Sequence, residues 1–128
     1  MNHGHDRSPG EVRAQISSEI IRLQAEYYGR GPTKARTYIV EDIVVVVLEE
    51  TFTRAERTLM ERGEREAIQN IRRRFQQHMA ESFIGVVEQA TGRKVRTFLS
   101  DTDVDEDVSV ETFLLADART DMAGFEDA

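Results

Sequence analysis

The sequence predicts an α+β fold: a four-stranded, mainly antiparallel sheet with helices on one face, in the order α-β-β-α-α-β-β. Three observations carry that expectation. Six apolar residues in a row, Ile43 to Leu48, lie between Glu41-Asp42 and Glu49-Glu50, and all but Leu48 are β-branched. Apolar residues recur at helical spacing from Val12 to Tyr27 and again from Ile68 to Ala90. Two later segments, Val95 to Asp101 and Val108 to Leu115, alternate from residue to residue as strands do.

Taken in order, Ser8-Pro9-Gly10-Glu11 opens the first helix. Ser8 caps, Pro9 suits the first helical position and Glu11 completes a capping box. Val12, Ile16, Ile20, Leu23 and Tyr27 form its apolar stripe, and Gly29-Arg30-Gly31-Pro32 stops it. Lys34 to Val40 and the apolar run then read as an antiparallel hairpin through Glu41-Asp42. That pair is not a favoured two-residue turn, so one long strand broken by a bulge is the alternative. Thr53-Arg54-Ala55-Glu56 is a second capping box and opens a short helix. After Gly63 a long helix runs through Ile68, Ile71, Phe75, Met79, Phe83, Val86, Val87 and Ala90 to Thr91-Gly92. The two alternating segments form a second hairpin, with Asp105-Glu106-Asp107 near its turn. Residues 1–7 and 117–128 read as flexible tails around a single domain at 8–116.

A strand apolar on both faces must be covered on both. Helices cover one side. A homodimer is the simplest cover for the other, with Val44, Val46 and Leu48, or their alternates, at the interface. Six apolar residues are too few to cross a bilayer, which takes about 20 in a helix, so no direct membrane insertion is expected.

Composition excludes several classes. In the 128-residue chain 32% of residues are charged and the net charge is −7, which disfavours nonspecific binding to nucleic acid or anionic lipid. There is no Cys, so disulfides, thiolate metal sites and thiol catalysis are out. No charged segment precedes an apolar one at the N-terminus, so no signal peptide is expected.

Four features are candidate sites. Gly29, Arg30 and Gly31, with Arg36 nearby, could cradle an anion; the plainer reading is a helix stop, since the loop matches no phosphate-binding motif. Arg72, Arg73 and Arg74 could dock an acidic partner. Three successive helical residues span about 200° of the circumference, so a solvated helix face is the plainer reading. Asp101, Asp103, Asp105 and Asp107 begin like a calcium loop, but Glu106 stands where Gly is needed and Thr112 where the bidentate Glu is needed. His78, beside Phe75 and Met79, reads as a partly buried structural residue; His3 and His5 sit in the tail. No catalytic set, metal site or cofactor is expected, and the chain reads as a non-enzyme.

Several segments resemble one family together: Tyr28-Gly29-Arg30-Gly31-Pro32, Tyr38-Ile39-Val40-Glu41-Asp42 with its valine run, Thr53, Arg72-Arg73-Arg74-Phe75, Thr91-Gly92-Arg93-Lys94-Val95, and the strand from Val108 to Leu114. The chain is similar over about residues 10–115 to the MpsC-like family of small bacterial proteins, formerly a domain of unknown function. The resemblance implies a soluble accessory or regulatory protein of a membrane-potential-generating, cation-translocating or inorganic-carbon transport system, acting by protein–protein contact. It implies a cytoplasmic chain, peripheral to the inner membrane through a transport component. The alternative reading is a small-ligand or anion sensor built on the Gly29–Pro32 loop.

Overall fold

The computed structural model describes residues 7–116. Both expected tails, and His3 and His5, lie outside the described residues apart from Arg7. Helix α1 (Pro9–Tyr28) starts on the Ser8 capping box, with Glu11 N–H donating to Ser8 Oγ at 3.1 Å and Ser8 N–H to Glu11 Oε1 at 3.0 Å. It ends at Gly29, whose φ of 78° is the left-handed cap conformation that glycine adopts without strain.

Strands β1 (Lys34–Val40) and β2 (Ile43–Glu49) pair antiparallel from Lys34↔Glu49 to Val40↔Ile43, so the hairpin, not the bulged single strand, is the form observed. Glu41 takes φ 52° to make the turn, a conformation costing a non-glycine residue roughly 1 kcal/mol. Neighbours hold it closed: Leu115 N–H donates to the Asp42 carbonyl at 2.8 Å, and Arg93 Nη2 donates to Asp42 Oδ1 at 2.7 Å.

Helix α2 (Arg54–Glu61) starts on the Thr53 capping box. Helix α3 (Arg65–Thr91) has 27 residues and is therefore about 40 Å long. Strands β3 (Val95–Asp103) and β4 (Val108–Leu115) form the second antiparallel hairpin, with a bulge between Val95 and Thr97. The sheet order is β1-β2-β4-β3 with every neighbouring pair antiparallel, so the valine run is a central strand.

Helices α1 and α3 pack together across one face of this sheet. Ile16, Ile20 and Leu23 of α1 and Met79, Phe83 and Val87 of α3 close over Val44, Val46, Leu48, Phe113 and Leu115. Val44, Val46 and Leu48 have no exposed surface. The interface expected at these three residues is therefore corrected: they belong to the core, where each contributes about 1.5–3 kcal/mol by burial. The register explains the choice of face. Arg36 lies opposite Val47, and Tyr38 opposite Val45, so turning the other valines inward would carry a guanidinium beneath the helices. A smaller cluster, Phe52, Ile68 and Val104 with Leu59 and Met60, fastens α2 to the start of α3.

Candidate functional site

The Gly29–Pro32 loop is a helix stop whose cation is already committed. Arg30 Nη1 donates to the Phe52 carbonyl at 2.5 Å and its Nη2 to Thr33 Oγ1 at 3.3 Å. Arg36, 3.3 Å from Glu49 Oε2, is likewise paired within the chain. Neither guanidinium is held open toward an anion.

The three arginines of α3 divide. Arg72 is only 2% exposed. Its Nη2 and Nε donate to both oxygens of Glu56 at 2.6 and 2.8 Å, and Nη2 also reaches the Thr51 carbonyl at 3.1 Å. The guanidinium lies 4.1 Å from the Tyr28 ring centroid and 5.1 Å from that of Phe52. Docking through Arg72 is thereby corrected to a structural role. The cause is helical phase: Arg72 falls four residues after Ile68 and three before Phe75, on the buried stripe. Arg73 and Arg74 remain exposed. Tyr28 beneath Arg72 packs on Phe75 at 4.7 Å between ring centroids. Burial pushes its phenol up to about 12.

The acidic run is structural at three of its four aspartates. Asp107 accepts from Thr51 N–H at 2.8 Å, Thr51 Oγ1 at 3.0 Å and Phe52 N–H at 3.1 Å, tying the second hairpin to the segment before α2. Asp103 accepts the amides of Asp105 and Glu106, and Asp105 pairs with Arg65 at 2.9 Å. Among the described residues no group of three or more His, Asp or Glu side chains is placed to hold a metal. His78 is exposed on α3, not partly buried as its neighbours suggested.

One acid has no such partner. Glu111 of β4 is 2% exposed, and its Oε1, like Ser100 Oγ opposite it in the sheet, makes no hydrogen bond. Burial pushes its carboxyl from 4.5 up to about 7; the Ser100 hydroxyl beside it, though outside hydrogen-bond geometry, and Arg72 pull down, and Asp101 pushes up.

The surface with the most to offer a partner is the sheet face that the helices leave open. The strand registers arrange it as a grid of four rows, each read from β1 to β2, β4 and β3. The first row is Lys34, Glu49, Val108 and Asp103; the second is Arg36, Val47, Val110 and Asp101. The third is Tyr38, Val45, Thr112 and Leu99; the fourth is Val40, Ile43, Leu114 and Thr97. Tyr38 is 47% exposed, Val40 63%, Ile43 42% and Leu99 60%, an uncommon concentration of large apolar residues in water. An open depression of about 720 Å³ continues the fourth row, between Val40, Ile43, Leu114 and Arg96. Cations thus stand on the β1 edge and anions on the β3 edge, with a mostly apolar strip between in which Glu49 is the one charge. Residue alternation predicts the content of this face but not which set of valines occupies it.

Residues 8–117 match a family described as "Na+-translocating membrane potential-generating system (MpsC)". Among curated proteins, the chain is 28% identical over 98 residues to the uncharacterized protein YbcI of Bacillus subtilis (strain 168), over 74% of this chain and 77% of that protein. No solved structure matches it.

Proposed function

Since the chain belongs to the MpsC family, named for a Na+-translocating membrane potential-generating system, we propose that it serves such a system as an accessory or regulatory protein acting by protein–protein contact. The family membership bears out the resemblance carried by the Tyr28–Pro32 loop and the valine strand. The observation that carries the role is the match over nearly every described residue. It sits on a chain whose described helices are not long and apolar enough to cross a membrane. On this reading its part in ion translocation runs through contact with a membrane-spanning partner. In that role the chain sits on the cytoplasmic side, peripheral to the membrane, with cation or inorganic-carbon transport components as its partners. No observation favours the anion sensor, because Arg30 and Arg36 are both paired within the chain.

The test is a deletion strain in which Na+-dependent membrane potential is followed with a voltage-sensitive dye. The potential should fall without the chain and return on complementation. Membranes from the complemented strain should yield a membrane-spanning transport subunit bound to the tagged chain. An unchanged potential with no such subunit recovered would contradict the role.

A further inference from the structure

We propose that the open sheet face is covered by a second copy of this chain, related by a two-fold axis that lies between the two sheets and runs parallel to the strands. This deepens the protein-contact reading and rests on it only in treating the open face as an interface.

The grid itself selects both partner and axis. Rotation about a strand-parallel axis reverses the order of the strands but keeps each row level. β1 of one copy then lies over β3 of the other, and β2 over β4. In the second row Arg36 meets Asp101, in the first Lys34 meets Asp103, and each contact occurs twice by symmetry. In the third row Tyr38 meets Leu99 and Val45 meets Thr112; in the second Val47 closes over Val110, and in the first Glu49, beside its own Arg36 partner, lies over Val108. The alternative in-plane axis, perpendicular to the strands, keeps the strands and reverses the rows. It would set Asp101 against Leu99 and Asp103 against Thr97, burying carboxylates on uncharged groups without compensation. Of the two axes, the strand-parallel one pairs the charges of both edges and leaves Glu49 with the Arg36 guanidinium it already holds.

Packing geometry permits it. Facing sheets align within about 30° at a spacing of about 10 Å, which leaves β1 over β3 despite the twist. Four strands at about 4.8 Å and four rows at about 6.7 Å present roughly 500 Å² per copy. Two copies reach the roughly 1,000 Å² that a specific interface needs. The helices remain outermost, giving a four-layer dimer.

Charge reversal tests partner and axis together. Arg36 and Asp101 are exposed, so either can be replaced without opening the core. Arg36→Glu alone sets carboxylates against Asp101 twice, and Asp101→Arg alone sets guanidiniums against Arg36 twice. Each homodimer should weaken roughly tenfold. Mixed one to one, the two variants restore both attractive pairs, and native mass spectrometry should show the heterodimer as the dominant species. The heterodimer also reports that both variants are folded. A statistical mixture with unweakened homodimers would overturn the axis, and a wild-type chain that stays monomeric at high micromolar concentration would overturn the pairing. Either result would leave the membrane-potential assay, and the role it tests, standing.

Discussion

Replacing Glu111 with Gln should flatten part of the pH dependence of stability. Glu111 is buried under the helices with Arg72, Tyr28 and Asp101 around it, and its folded-state carboxyl stands at about 7 against 4.5 in the open. Below pH about 4.5 the carboxyl is neutral in both the folded and unfolded chain, and burial carries no ionic penalty. As pH rises, the unfolded chain ionises first and is favoured. The loss grows until the folded-state carboxyl also ionises, near pH 7. A shift from 4.5 to about 7 corresponds to about 3 kcal/mol of stability lost across that window. Glu111→Gln preserves the shape, removes the charge and can donate to Ser100 Oγ. Urea unfolding at closely spaced pH values from 4 to 8 reads the difference between the two proteins, in which every other titration common to both cancels. The variant should match the wild type within about 1 kcal/mol at pH 4.5 and exceed it by about 3 kcal/mol at pH 8. Parallel curves would refute the buried, unpartnered carboxyl.

Two further perturbations address the ties around α2. Arg72→Met leaves the Glu56 carboxylate buried without its partner and should cost about 3–5 kcal/mol in urea unfolding. Adding Glu56→Gln should recover a measurable part of that loss; a deeper loss in the double variant would contradict the pairing. Asp107→Ala removes three hydrogen bonds to Thr51 and Phe52 and forces alanine into φ 53°, for an expected loss of about 2–4 kcal/mol. Asp107→Gly relieves only the backbone strain, so it should remain destabilised. Stability equal to wild type would remove Asp107 as the tie between hairpin and α2.

Much of the fold was legible because its signals are local. Capping boxes at Ser8 and Thr53, glycine stops at Gly29 and Gly92, and the change from helical to strand period fix the element order with no tertiary information. The site was less legible because it depends on phase and register. Val44, Val46 and Leu48 look the same as Ile43, Val45 and Val47 within β2; only the neighbours Arg36 and Tyr38, once the register is known, decide which set turns inward. Arg72 was readable in principle, since it continues the Ile68 and Phe75 stripe, but its place in a run of three arginines pointed to solvent. The Asp107 tie reaches back more than 50 residues to Thr51 and Phe52, and no local pattern announces it. The charge order of the open face also emerges only when four strands from two distant hairpins are set side by side.

On the proposed pairing, the open face closes on a second copy of the chain. Sedimentation equilibrium of the full chain at micromolar concentration tests it most directly, beside Val45→Glu, which places a carboxylate in the middle of the apolar strip. A self-paired face gives the wild type twice the 14.6 kDa chain mass and the variant the single mass, with the helical signal of both unchanged. A wild type that sediments at 14.6 kDa, or a variant that still dimerises as tightly, would contradict it.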